Sequence, residues 1–223
     1  RLVDKPIFYY LIQEAYLADI KRIIFIIHAQ KKALKDFLLS REAETIHDDF
    51  PGITFSFVET SKLLGGGQAI LQTKKLFKKG EVFAVTMGDL LPLPGKSLIK
   101  ELKTVYEKYF VPVISVESIE RSKTGQYGII NTKTSKGRLH LVSSIIEKPK
   151  PENAPSTLAM TGKYILTYEI FPYLEKLMKE GDKNEIKLAN ALSEYAQDYP
   201  LNAYECKNKH YDTGTKIDLL KTE

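Results

Sequence analysis

The sequence has almost no cysteine, no long hydrophobic run and no arginine-rich segment. Its one cysteine, Cys206, excludes an intrachain disulfide and fits a reducing compartment, so we expect a cytoplasmic protein. The longest apolar run, around Ile23 to Ile27, is far too short to span a membrane, and we expect no membrane partner. Such a β-branched run is typical of a strand that is covered on both faces.

Several catalytic and binding motifs are also missing. The four histidines show no ligand spacing, which argues against a zinc site, and no Gly-x-Ser-x-Gly arrangement is present. The dinucleotide fingerprint fails because Ile70 stands where its last glycine would be, and no Walker A sequence follows the glycine run at 65–67. The net charge is +5, but acids are interspersed among the lysines, so we expect no nucleic-acid partner.

Apolar strand patterns alternate with helical patterns over the first half of the chain. The predicted strands are 23–27, 53–58, 82–87 and 111–116, and the predicted helices are 7–18, 31–39, 68–77 and 98–109. This alternation predicts an α/β, Rossmann-like, doubly wound and mainly parallel sheet. We expect one domain over residues 1–223, since no segment has the composition of a linker.

The pattern changes after residue 117. Segments 127–131 and 139–146 predict a hairpin, with a polar turn at 135–137. Further strands are predicted at 159–166 and 202–206, and further helices at 170–178 and 186–196.

The segment Glu147-Lys148-Pro149 places an acid beside a lysine at a predicted strand end. A sugar phosphate requires such a pair, with the carboxylate for its hydroxyls and the ammonium for its phosphate. Adjacent side chains of a strand point to opposite faces, so both can reach one ligand only where the strand ends or bulges. Pro149 favours such an end and predicts extended geometry at Lys148. The alternative is a solvated surface turn.

Two aspartates are candidates for a metal site. Asp89 follows an apolar strand and Gly88, and a Mg²⁺ ion on a nucleotide is commonly held by one or two such carboxylates. Asp212 offers a second carboxylate. The alternatives are a turn cap for Asp89 and an Asx-turn for Asp212.

The glycine run Gly65-Gly66-Gly67 permits close approach of the backbone to a ligand. It fits packing under a flat base or sugar better than wrapping a pyrophosphate. The alternative is a plain loop between a strand and a helix.

Together these segments resemble the bacterial UTP–glucose-1-phosphate uridylyltransferases, sugar-nucleotide pyrophosphorylases of the nucleotide-diphospho-sugar transferase fold. The resemblance runs in order along nearly the whole chain. Its segments are Leu2-Val3-Asp4-Lys5-Pro6, Leu64-Gly65-Gly66-Gly67-Gln68-Ala69, Gly88-Asp89-Leu90-Leu91, Tyr127-Gly128-Ile129, Ile146-Glu147-Lys148-Pro149, Ala154-Pro155-Ser156-Thr157-Leu158-Ala159, Gly162-Lys163-Tyr164 and Asn184-Glu185-Ile186-Lys187-Leu188.

The resemblance implies a reaction and a role for each matching residue. The family forms UDP-glucose and pyrophosphate from UTP and glucose 1-phosphate, with Mg²⁺, and the resemblance implies a homo-oligomer, a dimer or a tetramer. For the nucleotide, the resemblance implies that the backbone of Gly65, with Gly66 beside it, binds uracil and that Asp89 and Asp212 bind Mg²⁺. For the sugar phosphate, it implies that Gly128, Glu147 and Gly162 bind glucose in a small hairpin and helical portion. Lys148 would bind the phosphates.

The chain departs from the family in two places. The family's Gly-rich triphosphate loop and first strand, which precede the Asp-Lys-Pro motif, have no counterpart here, so the chain by itself is expected to be nearly inactive. A glutamine that reads the base in the family aligns with Thr60. Whether this protein prefers uracil or thymine is therefore left open. The alternatives are a glucose-1-phosphate thymidylyltransferase and a non-catalytic sugar-nucleotide-binding homologue.

Overall fold

The structure is a computed structural model that describes residues 5–30, 32–40, 43–61, 65–180 and 186–212. The helices are α1 (Ile7–Leu17), α2 (Ala33–Leu38), α3 (Glu44–Asp49), α4 (Gly65–Gln72), α5 (Leu98–Tyr109), α6 (Phe171–Glu180) and α7 (Leu188–Asp198). The strands are β1 (Arg22–His28), β2 (Thr54–Thr60), β3 (Val82–Thr86), β4 (Leu90–Pro92), β5 (Val113–Ser118), β6 (Gly128–Lys136), β7 (Leu139–Glu147), β8 (Leu158–Thr167), β9 (Asn202–Glu205) and β10 (His210–Asp212).

The chain divides into two compact units. Unit 1 comprises Arg1–Leu63, Gly88–Lys100 and Asn208–Glu223, and unit 2 comprises Leu64–Met87 and Glu101–Lys207. The expectation of one domain over the whole chain stays a prediction. Within the described ranges, no helix is both long enough and apolar enough to cross a membrane.

Unit 1 contains a parallel pair of strands and a short antiparallel ribbon. β1 pairs with β2, and β10 pairs with β4. A small core of apolar side chains supports the parallel pair, made by Ile12, Leu38, Ile46, Phe50 and Ile53. Ile27 is buried, and the four apolar residues before it, which alternate between the two faces of β1, are half-buried. Both faces of the strand are therefore partly covered.

The first three residues of α5 belong to unit 1, and polar side chains of the same unit cap this end of the helix. The carboxylate of Glu14, which is 1% exposed, accepts the backbone N–H groups of Leu98 at 3.0 Å and Ile99 at 3.3 Å. The hydroxyl of Ser97 accepts the N–H of Lys100 at 3.0 Å. Because the first N–H groups of a helix have no partner within it, an anion and a serine cap at this point stabilise the helix start.

Unit 2 is built around a six-stranded sheet in the order β3-β8-β5-β9-β7-β6. Helices α4, α6 and α7 contribute to its apolar core through Ile70, Phe171, Leu174, Leu188 and Leu192. The predicted hairpin is confirmed as β6 and β7, and Gly137 in its turn has φ of +59°. Lys74, just after α4, donates to Glu175 of α6 at 2.6 Å, and this bond raises the pKa of Lys74.

The α/β class is confirmed, but the strand directions differ from a mainly parallel sheet. In unit 2 the pair β5–β9 is parallel, whereas β3–β8, β5–β8, β7–β9 and β6–β7 are antiparallel. The reason is that β8 enters between β3 and β5 from a later part of the chain. Local periodicity does not show such a long-range insertion.

Candidate active site

The three glycines at 65–67 form the first turn of α4. Gly65 has φ of +87°, a conformation that glycine adopts without strain. The N–H of Gly67 donates to the carbonyl oxygen of Ile186 at 2.9 Å, and a Cβ at Gly67 would lie 2.7 Å from that oxygen. A Cβ at Gly66 would make an ordinary contact with Met87 Cε at 3.4 Å. Packing therefore requires glycine at position 67, and Gly65 and Gly66 remain the candidates for ligand contact.

Gly128 and Glu147 lie directly opposite each other on β6 and β7. A Cβ at Gly128 would lie 3.2 Å from Glu147 Oε2 and 3.2 Å from the methyl carbon of Met160. Glycine therefore keeps a space beside the half-buried carboxylate. A sugar hydroxyl that donates to this carboxylate would need such a space.

Lys148 follows the last residue of β7 and has φ of +50°. The strand therefore ends at Glu147 as predicted, but the prediction of extended geometry at Lys148 is wrong. Its backbone N–H donates to the carbonyl oxygen of Tyr127 at 2.9 Å, which holds the left-handed turn in place. A left-handed non-glycine residue costs roughly 1–3 kcal/mol, and such strain is concentrated at functional sites. The turn interrupts the alternation that would send adjacent side chains to opposite faces.

The chain beyond Lys148 is anchored by a 3-10 segment, Arg121–Gln126. The guanidinium of Arg121 donates to the carbonyl oxygens of Pro151 at 3.1 Å and Ala154 at 3.0 Å. The hydroxyl of Thr124 donates to the carbonyl oxygen of Pro149 at 3.4 Å. These bonds fix the backbone directly after Lys148, whose ammonium is the candidate phosphate-binding group.

Gly162 lies in β8 at a break in the pairing with β5. Its φ is +72°, and the register shifts on the β5 side between Ile114 and Val116. Its carbonyl oxygen accepts the N–H of Met87 at 3.0 Å. Glycine and bulges commonly occur where a ligand approaches a strand closely, which fits the predicted sugar contact.

The two candidate metal ligands of unit 1 belong to one ribbon. Asp212 is the last residue of β10 and lies opposite Leu90, and the exposed Asp89 directly precedes Leu90. Both backbones therefore lie at the same end of the ribbon. No group of three or more His, Cys, Asp or Glu residues in the described ranges could hold a metal ion. A Mg²⁺ ion on a nucleotide needs only one or two carboxylates, and the assignment of Asp89 and Asp212 as its ligands stays a prediction.

Thr60 ends β2 and lies opposite His28 at the end of β1. It is 6% exposed, and its carbonyl oxygen accepts the N–H of Ala29 at 2.8 Å. The preceding Glu59 accepts a hydrogen bond from the Lys35 ammonium at 2.8 Å, which holds the pKa of that carboxyl below its usual range. A role for Thr60 in reading the base stays a prediction.

The predicted site residues are divided between the two units. Unit 1 holds Thr60, Asp89 and Asp212, and unit 2 holds Gly65, Gly66, Gly128, Glu147, Lys148 and Gly162. Some residues of the resembling motifs lie outside the described ranges, namely Leu2, Val3, Asp4, Leu64, Asn184 and Glu185. The assignment of the site as a whole stays a prediction.

Lys163 is fully buried, and it was not among the predicted site residues. Its ammonium donates to the hydroxyl of Thr86 at 2.6 Å. A charged residue within the apolar strand pattern at 158–167 is a signal that could have identified it, since lysine is rarely buried without a specific partner.

Comparison with known proteins assigns the family. Residues 1–223 match the family described as Nucleotidyl transferase. The chain is similar to a UTP–glucose-1-phosphate uridylyltransferase from Staphylococcus haemolyticus, with 37% identity over 99% of this chain and 81% of the relative. It is also similar to such an enzyme from Bacillus subtilis, with 33% identity over 99% of this chain and 78% of the relative.

Solved structures agree with this assignment. A UDP-glucose pyrophosphorylase in complex with UDP-glucose superposes with a TM-score of 0.90 at 29% identity, over 99% of this chain and 86% of that chain. A UTP-bound enzyme from Acinetobacter baumannii superposes with a TM-score of 0.84 at 26% identity, over 99% of this chain and 82% of that chain. The predicted nucleotide-diphospho-sugar transferase fold is thus confirmed. The chain belongs to the nucleotidyl transferase family, among relatives that are UTP–glucose-1-phosphate uridylyltransferases.

Proposed function

We propose that the full-length protein converts UTP and glucose 1-phosphate to UDP-glucose and pyrophosphate. The observation that carries the proposal is the end of β7, where Glu147 faces the space kept by Gly128 and Lys148 turns out of the strand with φ of +50°. A carboxylate beside a cation at a strained strand end fits a sugar phosphate. The names of the relatives support the same substrates.

The reaction that these residues would serve is an in-line substitution at phosphorus. A phosphate oxygen of glucose 1-phosphate attacks the α-phosphorus of UTP, the bond from that phosphorus to the bridging oxygen breaks, and pyrophosphate leaves with the electron pair. Glu147 accepts hydrogen bonds from the glucose hydroxyls, Gly128 and Gly162 give the sugar room, and the Lys148 ammonium neutralises phosphate charge. Such chemistry needs positioning and charge stabilisation and no protein nucleophile.

Nucleotidyltransferases of this family generally use a divalent metal ion. For this chain we propose Mg²⁺, held by Asp89 and Asp212, because carboxylate oxygens are its preferred protein ligands. The ion supplies charge neutralisation on the phosphates when it is bound. The open backbone at Gly65 and Gly66 is proposed to bind the uracil edge. A role for Thr60 in reading the base is proposed from the resemblance alone.

A pyrophosphate-release assay on the full-length protein tests the proposal. We expect release that depends on both UTP and glucose 1-phosphate, that is abolished by excess EDTA and that Mg²⁺ restores. The Asp89→Asn variant should lose turnover, whereas Asp36→Asn, at an exposed position of α2, should retain it. No release above background with any nucleoside triphosphate would support the non-catalytic binding homologue instead.

We also propose that the protein acts in the cytoplasm as a homo-oligomer, a dimer or a tetramer. The single cysteine supports a reducing compartment. Light scattering during size-exclusion chromatography measures the assembly, and a monomeric mass over a concentration series would contradict the oligomer.

A further inference from the structure

Lys163 is 0% exposed, and its burial needs a physical reason. Removing an ammonium group from water costs several kcal/mol unless hydrogen bonds compensate it. The ammonium of Lys163 donates to the hydroxyl oxygen of Thr86 at 2.6 Å, across the antiparallel pair of β8 and β3. An apolar side chain could fill the same volume at lower cost, so the position indicates a use for the hydrogen bond.

The backbone on the Lys163 side of this bond is fixed around the break at Gly162. The hydroxyl of Ser115 donates to the carbonyl oxygen of Lys163 at 2.9 Å. It accepts the backbone N–H of Lys163 at 3.2 Å and the hydroxyl of Thr161 at 2.6 Å. One serine side chain therefore replaces the ladder hydrogen bonds that the register shift removes. As a result, Gly162 is held from both sides.

The Thr86 side of the bond leads to the glycine turn of α4. The hydroxyl of Thr86 makes a weak contact with the carbonyl oxygen of Met87 at 3.4 Å. The backbone N–H of Met87 donates to the carbonyl oxygen of Gly162 at 3.0 Å. The methyl group of Met87 covers Gly66, since a Cβ there would lie 3.4 Å from it. Thr86 and Met87 therefore connect Gly162, the proposed sugar contact, to Gly66, the proposed nucleotide contact.

We propose that Lys163 is a positioning residue that sets the sugar-binding segment at Gly162 relative to the nucleotide-binding segment at Gly66, acting through Thr86 and Met87. This inference rests on the proposed function. In-line transfer is sensitive to the placement of the two substrates, and an error of about 1 Å can cost roughly 100-fold in rate. The Lys163–Thr86 bond would then affect turnover more than the binding of either substrate alone.

The test uses the full-length protein and the variants Lys163→Met, Thr86→Val, Thr86→Ser and the double variant of the first two. Lys163→Met keeps the length of the side chain and removes the donor, and Thr86→Val keeps its shape and removes the acceptor. Lys103→Met and Thr134→Val are matched controls on exposed or half-exposed positions. Thr86 is an exposed residue, so Thr86→Val and Thr86→Ser remain informative if Lys163→Met does not fold.

We expect Lys163→Met and Thr86→Val each to lower kcat about 10- to 100-fold. Calorimetric dissociation constants for UTP and for glucose 1-phosphate, measured separately, should stay within about threefold, because each binding segment is retained. Thr86→Ser should stay close to the wild type, and the double variant should lose no more than the more affected single variant.

Three results would overturn the inference. The first is a kcat for Thr86→Val within about twofold of the wild type. The second is a loss of both substrate affinities in parallel with kcat, which would indicate a merely structural role. The third is additive losses in the double variant. An inactive wild-type protein would overturn the proposed function itself, and this inference with it, so the two failures are distinguishable.

Discussion

Lys148 is bonded to Tyr127 through its backbone N–H at 2.9 Å, one position beyond the last residue pair of β6 and β7, Gly128 and Glu147. The bond closes the hairpin with a left-handed lysine, where glycine would be the relaxed choice. The conformation therefore opposes stability at a position where the side chain has a proposed chemical use.

Two replacements of Lys148 separate the proposed chemical use of its ammonium group from the cost of its left-handed backbone conformation. Lys148→Ala and Lys148→Gly should lower kcat by the same factor, about tenfold or more, because both remove the ammonium that stabilises phosphate charge in the transition state. Urea unfolding should show Lys148→Gly to be more stable than Lys148→Ala by about 1 kcal/mol, since glycine relieves the left-handed strain. Lys150→Ala, two residues along the chain and exposed, is the control. A kcat for Lys148→Ala within about twofold of the wild type would favour a solvated turn.

Glu147→Gln is expected to keep the local shape and weaken the acceptance of sugar hydroxyls. The loss of a hydrogen bond to a charged group is worth roughly 1–3 kcal/mol, which corresponds to a KM for glucose 1-phosphate raised about 5- to 150-fold. The KM for UTP should change little. Steady-state kinetics with each substrate varied in turn measure both values. Glu152→Gln, an exposed acid in the same loop region, should behave as the wild type, and an unchanged KM for Glu147→Gln would contradict the sugar contact.

Gly128→Ala should fill the space beside the Glu147 carboxylate. The new methyl group would lie 3.2 Å from the carboxylate oxygen and from the methyl carbon of Met160, so one of them has to move. We expect a raised KM for glucose 1-phosphate with a melting temperature close to that of the wild type. Gly125→Ala is the control, because its methyl group would meet the Pro149 carbonyl oxygen at 3.7 Å, an ordinary contact. Equal kinetics for the two variants would argue against a ligand at Gly128.

The glycines of α4 should differ in their effect on stability. Gly67→Ala would place a methyl group 2.7 Å from the carbonyl oxygen of Ile186, and such overpacking costs about 1–3 kcal/mol. Gly66→Ala has room beside Met87 and gains helix propensity, so its free energy of unfolding should be unchanged or higher. Chemical denaturation of both variants measures the difference. Equal destabilisation of the two would contradict the packing described at Ile186.

Local signals predicted the parts of this fold that local physics determines. The helix at 98–109 was predicted from its apolar spacing, with the bounds that it has in the structure. The hairpin at 128–147 was predicted from two alternating segments around a glycine turn. The antiparallel insertion of β8 between β3 and β5 was not predicted, because strand order depends on contacts between residues that are far apart in the chain.

The site shows the same division. The strand end at Glu147 follows from the proline two residues later, but proline also predicts extended geometry at Lys148, and the bond to Tyr127 overrides that preference. The burial of Lys163 and the clash that requires Gly67 both depend on residues from other elements, Thr86 and Ile186. No local pattern contains that information.

A competition experiment tests uridylyl transfer most directly. The full-length protein is given equal concentrations of UTP and dTTP with limiting glucose 1-phosphate and Mg²⁺, and mass spectrometry measures the ratio of UDP-glucose to dTDP-glucose at early times. That ratio equals the ratio of the two kcat/KM values, so it is independent of enzyme concentration. We predict that UDP-glucose is the main product. An excess of dTDP-glucose of about tenfold or more would contradict the account and would identify a thymidylyltransferase, with Thr60 as the first residue to replace.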